Sequence, residues 1–254
     1  MSHLLETIPE VAVTGGSCTL PPTSAEMGPS GHGTPRDAVT AWRHAGAHSL
    51  QFFDSDAAVG QGDNLDAISE AAHHAGGHVK VTYLGGVTDA DRLNRVLQSG
   101  VSRAVIDVCD SEIGWAKEAL THHQQRVLAG IWVSGDNAVD KNGNRIAELF
   151  DLVDEIEAVG PPRYLICEVS GRDHWFHHDR HMLAAVCESV KHPVEARGAV
   201  RHDSDIHALV PLVKQGLEAV VVGKPLADGA FTLQEAVTAA EARYDPYIWA
   251  PPQP

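Results

Sequence analysis

The sequence has few cysteines, no long apolar run and no leader-like start. Its four cysteines, Cys18, Cys109, Cys167 and Cys187, are widely scattered and form no CxxC pair, so neither a disulfide framework nor a zinc knuckle is predicted. No stretch approaches the roughly 18 apolar residues of a membrane span. The first residues, MSHLLETIPEVAV, lack the basic and apolar regions of a signal peptide. We therefore expect reduced thiols and a cytoplasmic protein.

Positive charge is also scarce. The 254 residues include 19 Lys and Arg against 34 Asp and Glu, which gives a formal net charge of -15. Nucleic acids and anionic membrane surfaces are bound by clustered basic residues, so we expect neither as a partner. An anionic substrate would need a local device against this field, such as backbone N–H groups that point at the anion.

The apolar segments alternate between short runs rich in Val, Ile and Phe and longer runs with helical spacing. This alternation is typical of βα units, and eight of them suit a closed parallel barrel. The predicted strands are 10–13, 49–53, 79–83, 103–106, 126–133, 164–168, 194–196 and 219–222. The sequence therefore predicts one α/β domain over residues 1–254, a single (βα)8 barrel.

Segments 85–107 and 198–223 resemble each other. Each contains a Gly turn, an acidic helix start, an amphipathic helix, a Gly and a strand, as expected if the two halves of the chain are copies. Segment 17–35 is rich in Pro, Gly and Ser and is predicted to be a long first βα loop on the catalytic face. Residues 244–254 are predicted to be a loose tail.

Three segments carry a family resemblance: SLQFFDSDAAVGQGDN (49–64), LGGVTDADRLNRVLQSGVSR (84–103) and GLEAVVVGKPLADGAFTLQEAV (216–237). Together they resemble the phosphoribosyl isomerase of histidine biosynthesis, and especially the actinobacterial version that also isomerises phosphoribosylanthranilate. The similarity covers nearly the whole chain. It implies a barrel of the kind that binds ribulose phosphates, made of two similar half-barrels.

The resemblance also implies two phosphate sites made by glycine turns at strand ends. Gly85 and Gly86 match one such turn, Gly198 matches another, and Gly223 with Lys224 matches the strand that closes the second site. Glycine suits this role because it lets the backbone approach an oxyanion and point N–H groups at it. The alternative is that these are tight turns that bind no ligand.

The sequence departs from the family where the family places its aspartates. The aspartate of the first strand corresponds to Ala12, that of the fifth strand to Trp132, and that of the loop after strand six to Arg172. Because alanine and tryptophan cannot exchange a proton as a carboxylate does, the parent Amadori isomerisation is not predicted.

Three further positions near the expected site also differ. A Gly-Thr pair that cups phosphate in the family reads Asp107-Val108, and an arginine beyond strand one corresponds to Leu20. A carboxylate at residue 107 would repel a phosphate. The loop after strand five is shortened to SGDNAVDKNGNRIAEL.

The remaining polar residues at the strand ends are the candidates for the site. We assign Glu168, Asp173, Asp107 and Cys109 as candidate catalytic residues and Asp54, Trp132, Arg172 and His174 as candidate substrate contacts. Of the neighbours Cys167 and Glu168, only one can face the barrel interior, and we expect it to be Glu168. Cys109 and Cys167 are alternatively small buried side chains, and Asp54 with Asp56 alternatively supports the scaffold.

Histidines are abundant but spread over many segments. His177 and His181 are four residues apart in HWFHHDRH, a spacing that two ligands on one helix face would have. Because the chain contains 16 histidines, such clusters arise readily, and no metal site and no cofactor are predicted.

Three functional hypotheses follow. The first is an enzyme derived from the isomerase scaffold that acts on a small metabolite, singly phosphorylated or sugar-containing, in specialised metabolism. The second is a non-catalytic barrel that binds a ligand or a partner protein. The third is retained aldose-ketose isomerisation with relocated residues. A monomer and a homodimer are both compatible with the sequence.

Overall fold

The structure is a computed structural model that describes residues 4–21, 31–169, 177–198 and 200–242. Eight parallel strands within these ranges close into a barrel, each pairing with the next and the last with the first. The strands are β1 Glu6–Thr14, β2 Ser49–Asp54, β3 Lys80–Leu84, β4 Arg103–Asp107, β5 Val127–Ser134, β6 Tyr164–Glu168, β7 Val194–Arg197 and β8 Leu217–Val222. The predicted (βα)8 barrel is confirmed, and each predicted strand overlaps an observed one.

Helices alternate with the strands. The eight main helices are α1 Pro35–His44, α2 Leu65–Ala75, α3 Ala90–Gln98, α4 Ile113–His122, α5 Leu149–Glu157, α6 His177–Ser189, α7 Asp203–Leu209 and α8 Leu233–Glu241. Several begin at polar caps: Thr34 and Thr232 form capping boxes, and the Asp89 side chain accepts from the N–H of Arg92. Shorter helices span Ser55–Ala58 and Lys224–Ala227, and a 3-10 helix spans Val210–Gln215. No helix in the described ranges is long and apolar enough to cross a membrane.

The apolar side chains form two layers. The larger layer lies between strands and helices, where alternate strand residues such as Val11 and Phe52 are buried against the helices. A smaller cluster fills the barrel, with Ile8, Val105 and Leu165 among its members. Near the first residues of the strands, Glu195 forms ion pairs with Arg103 at 3.2 Å and with Arg163 at 3.4 Å. The lower part of the barrel interior is therefore packed, and the buried charge of Glu195 is paired.

The two halves of the barrel use glycine in the same way. Gly85 follows β3 with a φ of +149°, and a Cβ there would lie 2.7 Å from the carbonyl oxygen of Asp54 at the end of β2. Gly198 follows β7 with a φ of +102°, and its Cβ would lie 2.7 Å from the carbonyl oxygen of Glu168 at the end of β6. Strands two and three thus meet as strands six and seven do, in agreement with the resemblance between segments 85–107 and 198–223.

Two loops on the face where the strands end carry structure of their own. In the predicted loop 17–35, the short strand Ser17–Thr19 pairs antiparallel with the end of β1, and the short strand His32–Gly33 pairs antiparallel with Ser17–Thr19. After β5, the chain forms an antiparallel hairpin of the strands Asn137–Val139 and Arg145–Glu148. The predicted tail, 244–254, lies outside the described residues.

Candidate functional site at the carboxyl ends of the strands

Two of the cavities at the face where the strands end are lined by strand residues near the barrel centre. The larger, of about 500 Å³, is bordered by the ends of β2, β4 and β5 and by the tip of the hairpin after β5. The smaller, of about 170 Å³, is bordered by β1 and by the ends of β7 and β8. We call them the large cavity and the small cavity. In parallel barrels this face is where active sites lie.

Asp107, the last residue of β4, lines the large cavity although only 7% of it is exposed. Its Oδ1 accepts from the indole Nε1–H of Trp132 at 2.8 Å and from the N–H of Asp110 at 3.3 Å. Both of these bonds are made by Oδ1, which leaves Oδ2 available to the cavity. Burial raises the pKa of Asp107 to about 6, and the Trp132 bond lowers it only in part. Asp107 can therefore exchange a proton near neutral pH.

Aromatic rings form part of the wall of the large cavity. Phe53 of β2 and Trp132 of β5 both line it, and the exposed side chains Val59 and Val169 stand at its rim. Such walls pack against the face of a flat, apolar group. Trp132, which replaces an aspartate of the resembling family, is a predicted substrate contact; it lines the cavity, where such contact is possible, and the role itself stays a prediction.

The tip of the hairpin contributes the other polar groups of the large cavity, among them Asp140 and Lys141. Asp140 accepts from the N–H groups of Asn142 and Asn144 and from the Asn144 side chain, so the turn is fixed by its own side chain. The N–H of Lys141 donates to the Asp110 carboxylate at 2.8 Å, which ties the hairpin to the loop after β4.

A partly buried ion pair lies under the two rings, near the centre of the barrel. The Nε of Arg197 donates to Oε2 of Glu10 at 2.5 Å, and its NH2 donates to Oε1 at 2.9 Å. The guanidinium lies 4.9 Å from the centre of the Phe53 ring and 5.6 Å from that of Trp132. Burial lowers the pKa of Arg197, but the Glu10 carboxylate outweighs this effect and leaves it raised. Arg197 is therefore charged at every working pH.

The small cavity gathers several of the predicted phosphate-binding residues. Gly198, Gly223 and Lys224 line it together with Glu10 and Arg197. The Lys224 ammonium group contacts Asp228 one turn further along the chain. The structure thus brings together the predicted second phosphate site, and anion binding there stays a prediction.

Gly85 and Gly86 border neither cavity. Their positive φ values, +149° and +59°, and the carbonyl oxygens of Asp54 and Ala57 beside them already explain why they are glycines. A Cβ at Gly86 would lie 2.6 Å from the Ala57 oxygen. Their phosphate-binding role stays a prediction, and packing alone accounts for the turn.

Asp54 is fully buried, and both oxygens of its carboxylate accept hydrogen bonds. It accepts from the N–H and the side chain of Asn64 at 2.9 and 2.8 Å, and from the Tyr83 hydroxyl at 2.8 Å. Asp56 accepts from the N–H of Gly15 at 2.8 Å, which holds its pKa below the usual range. These contacts agree with the alternative that the two aspartates support the scaffold; substrate contact by Asp54 stays a prediction.

The expectation that Glu168, rather than Cys167, faces the barrel interior is wrong. Cys167 is in the cluster inside the barrel, and its thiol is within hydrogen-bonding reach of Arg197. Because side chains alternate along a strand, Glu168 points to the opposite side, where it is also buried. A catalytic role for Glu168 would therefore have to act from outside the barrel interior.

The thiols are poorly placed for nucleophilic chemistry. All four cysteines are free and buried. Burial raises the pKa of Cys109 to about 12, so the thiolate is rare at neutral pH. The Cys109 thiol also lies 3.4 Å from the N–H of Trp132, a packing contact between β5 and the loop after β4. Catalysis by Cys109 stays a prediction that this environment disfavours.

Three of the predicted site residues, Arg172, Asp173 and His174, lie outside the described residues. Helix α6 begins at His177, so His177 and His181 are indeed one helical turn apart. Among the described residues, no group of three or more His, Cys, Asp or Glu side chains is arranged to hold a metal ion.

Glu10, Arg197 and Lys141 are site residues that sequence reasoning missed. One signal was present: Glu10 and Arg197 are charged residues inside short apolar strands, and a charge there must be paired. Their separation of 187 residues along the chain concealed the pairing.

The closed ring of eight parallel strands with alternating helices defines a (βα)8 barrel. The family model described as "Histidine biosynthesis protein" matches residues 8–232, and the chain belongs to this family.

Several relatives are similar over almost their whole length. The imidazole-4-carboxamide isomerase of Thermobifida fusca is 30% identical over 239 residues, 93% of this chain and 97% of the relative. The corresponding isomerase of Nocardia farcinica is 31% identical over 238 residues, 91% of this chain and 97% of the relative. Phosphoribosyl isomerase A of Streptomyces coelicolor is 30% identical over 237 residues, 92% of this chain and 98% of the relative.

Proposed function

We propose that this chain is an enzyme that moves a proton on a small, singly phosphorylated or ribotide-like metabolite, with Asp107 as the acid/base. The observation that carries the proposal is the state of Asp107: a buried carboxyl group at the large cavity, with a pKa of about 6 and Oδ2 available to a ligand. The chemistry differs from that of the relatives because Ala12 and Trp132 replace the aspartates that the resemblance places on β1 and β5.

The reaction class follows from having one well-placed carboxyl group. At pH 7 Asp107 is mostly ionised, so its Oδ2 can take a proton from a carbon beside a carbonyl or imine group. The same oxygen can return that proton to the neighbouring carbon; when the adjacent hydroxyl proton also passes to the former carbonyl oxygen or imine nitrogen, an aldose-ketose type of shift is complete without another reactant. The indole N–H of Trp132 stabilises the ionised form throughout. Asp173 and Glu168 stay secondary candidates for the same role.

The two cavities suggest the shape of the substrate. A flat group would lie against Phe53 and Trp132 in the large cavity, which Lys141 also lines. A phosphoryl group would lie in the small cavity, beside Gly198 and Gly223. A second phosphoryl group near β4 would meet the Asp107 carboxylate, and for this reason we propose a single phosphate. A changed substrate of this kind suits a paralogue in specialised metabolism.

The test combines binding and turnover. The purified chain is titrated by thermal shift with inorganic phosphate, ribose 5-phosphate and aminoimidazole ribotide, and any stabilising compound is followed for isomerisation by NMR. We expect Asp107→Asn to abolish turnover while the stabilising compound still binds. Glu118→Gln, which changes an exposed carboxyl group on α4, is the matched control. Unchanged turnover in Asp107→Asn would refute the role of Asp107.

A second candidate is the isomerisation named in the relatives themselves, which the near-complete alignment with them favours. In that case the chain should restore growth of a histidine auxotroph that lacks its isomerase. Failure to restore growth at normal expression would exclude it.

A third candidate is a non-catalytic binding barrel, which the Glu10–Arg197 pair across the barrel centre favours. It predicts tight ligand binding without turnover, and Asp107→Asn would then change affinity alone.

A further inference from the structure

Arg197 lies between the two cavities. It lines the small cavity, and its guanidinium lies under the Phe53 and Trp132 rings that line the large cavity. A change in the position of Arg197 would therefore alter the surroundings of Trp132. Because Trp132 donates to Asp107, such a change would also reach the proposed acid/base.

The partner of Arg197 occupies the place that an incoming anion would take. The Glu10 carboxylate binds the guanidinium through both oxygens and also borders the small cavity. A Cβ built on Gly223 would lie 3.1 Å from Oε1 of Glu10, so the carboxylate lies directly against this glycine. The cations of the small cavity are thus already neutralised, Arg197 by Glu10 and Lys224 by Asp228.

A phosphoryl group in this cavity would meet two opposing effects. Arg197 offers a fork of donors that matches a phosphate, yet the neighbouring Glu10 carboxylate repels it. The repulsion is relieved if the phosphoryl group binds the Arg197 guanidinium and the Glu10 carboxylate moves away from it. Glu10 would then keep one partner, because the side-chain Nε2 of Gln51 donates to its Oε2 at 2.8 Å.

We propose that Glu10 is an internal competitor for the ligand's phosphoryl group and that Arg197 is the specificity-determining residue for which both compete. The proposal rests on the proposed function, because it takes the small cavity as the phosphoryl site. Only a ligand with a group as strongly anionic as phosphate displaces Glu10, so neutral sugars are rejected. When the phosphoryl group replaces Glu10 at Arg197, the surroundings of the Trp132 ring change, so Trp132 responds when the small cavity is occupied.

The test titrates the full chain with inorganic phosphate and with ribose 5-phosphate and follows binding by calorimetry and tryptophan fluorescence. Glu10→Gln removes the competing charge at nearly constant volume and should tighten phosphate binding by about tenfold or more. The double variant Glu10→Gln with Arg197→Met should lose this gain. Trp132→Phe identifies the share of the fluorescence change that arises at Trp132, and Glu118→Gln again serves as the control.

Glu10→Gln leaves a buried guanidinium without its partner, so its stability also reports on the competition. We expect its melting temperature to be low without phosphate and to rise more steeply with phosphate than that of the wild type. If the variant does not fold in either buffer, Glu10→Asp, which withdraws the carboxylate by one methylene, should show an intermediate gain in affinity.

The outcomes separate this inference from the proposed function. Phosphate binding that Glu10→Gln and Glu10→Asp leave no tighter would overturn the competition, while the phosphoryl site and Asp107 would stand. Tighter binding without a Trp132 signal would overturn the coupling between the cavities. If the wild type and all variants fail to bind either phosphate compound, the small cavity is not a phosphoryl site. The proposal of a singly phosphorylated substrate is then refuted as well.

Discussion

Asp107→Asn should make the protein more stable at neutral pH. The carboxyl group is buried, and its pKa is raised from 3.8 to about 6, which means that the folded state binds its proton more tightly than the unfolded chain does. Above pH 6 the group is charged in both states, and the folded state bears the cost of the buried charge. Below about pH 4 the group is neutral in both states, and this cost disappears.

The pKa values set the size of the effect. A pKa raised by about 2 corresponds to ~3 kcal/mol of folding free energy at neutral pH, and this is an upper bound. Asparagine keeps an Oδ1 that can accept from Trp132, so the 2.8 Å hydrogen bond need not be lost. We therefore expect a gain of about 1–3 kcal/mol at pH 7.5, or several degrees in melting temperature.

Urea denaturation of the wild type and of Asp107→Asn at pH 7.5 and at pH 4 measures the effect. The difference between the two proteins should be large at pH 7.5 and close to zero at pH 4. Glu118→Gln, at an exposed site, should change stability by less than about 0.5 kcal/mol at either pH. An Asp107→Asn protein that is equally or less stable at pH 7.5 would refute the assignment of Asp107 as a strained, buried carboxylate.

Three further results are expected. Gly85→Ala should cost more than about 2 kcal/mol in urea denaturation, because its Cβ would lie 2.7 Å from a carbonyl oxygen, whereas Gly46→Ala, with a φ of +94° but open space around it, should cost only about 1 kcal/mol. Trp132→Phe should raise the pKa of Asp107 above 6, because the Nε1–H that favours the ionised form is lost; a pH titration of the Asp107 carboxyl carbon by NMR measures this, and an unchanged value would contradict it. Glu195→Gln should cost less stability at pH 7.5 than near pH 5, because burial raises the pKa of Glu195 to about 6 and the wild-type barrel therefore loses stability as the pH rises through that value; urea denaturation at both pH values measures this, and an equal effect at both would count against the raised pKa.

The fold could be predicted because its signals are local. Short runs such as 164–168 and 219–222 are rich in Val, Ile and Leu, and they recur with helical segments between them. Glycine turns that follow strands, such as those at Gly85 and Gly198, indicate where a strand ends and the connection to the next helix begins. These features do not depend on how distant parts of the chain meet, so the eight strands could be placed to within a few residues.

The site could be predicted only in part because its decisive contacts are distant in sequence. Glu10 and Arg197 lie at opposite ends of the chain and meet only when the barrel closes. The predicted orientation of Cys167 and Glu168 was wrong. Which face of a five-residue strand points into the barrel depends on how the strand pairs with its neighbours, and the residues of the strand alone do not determine it. Asp107 was found as a candidate, but its raised pKa depends on burial that only the folded chain provides.

The hairpin after β5 has a consequence for how fast a ligand can bind. Its turn is held by Asp140, and Lys141 is fastened to Asp110, so this wall of the large cavity is in place before any ligand arrives. A loop that is already ordered loses little conformational entropy on binding. At the hairpin wall of the large cavity, ligand association should be limited by diffusion and by desolvation of the ligand. No closing step of the hairpin should slow ligand binding or product release.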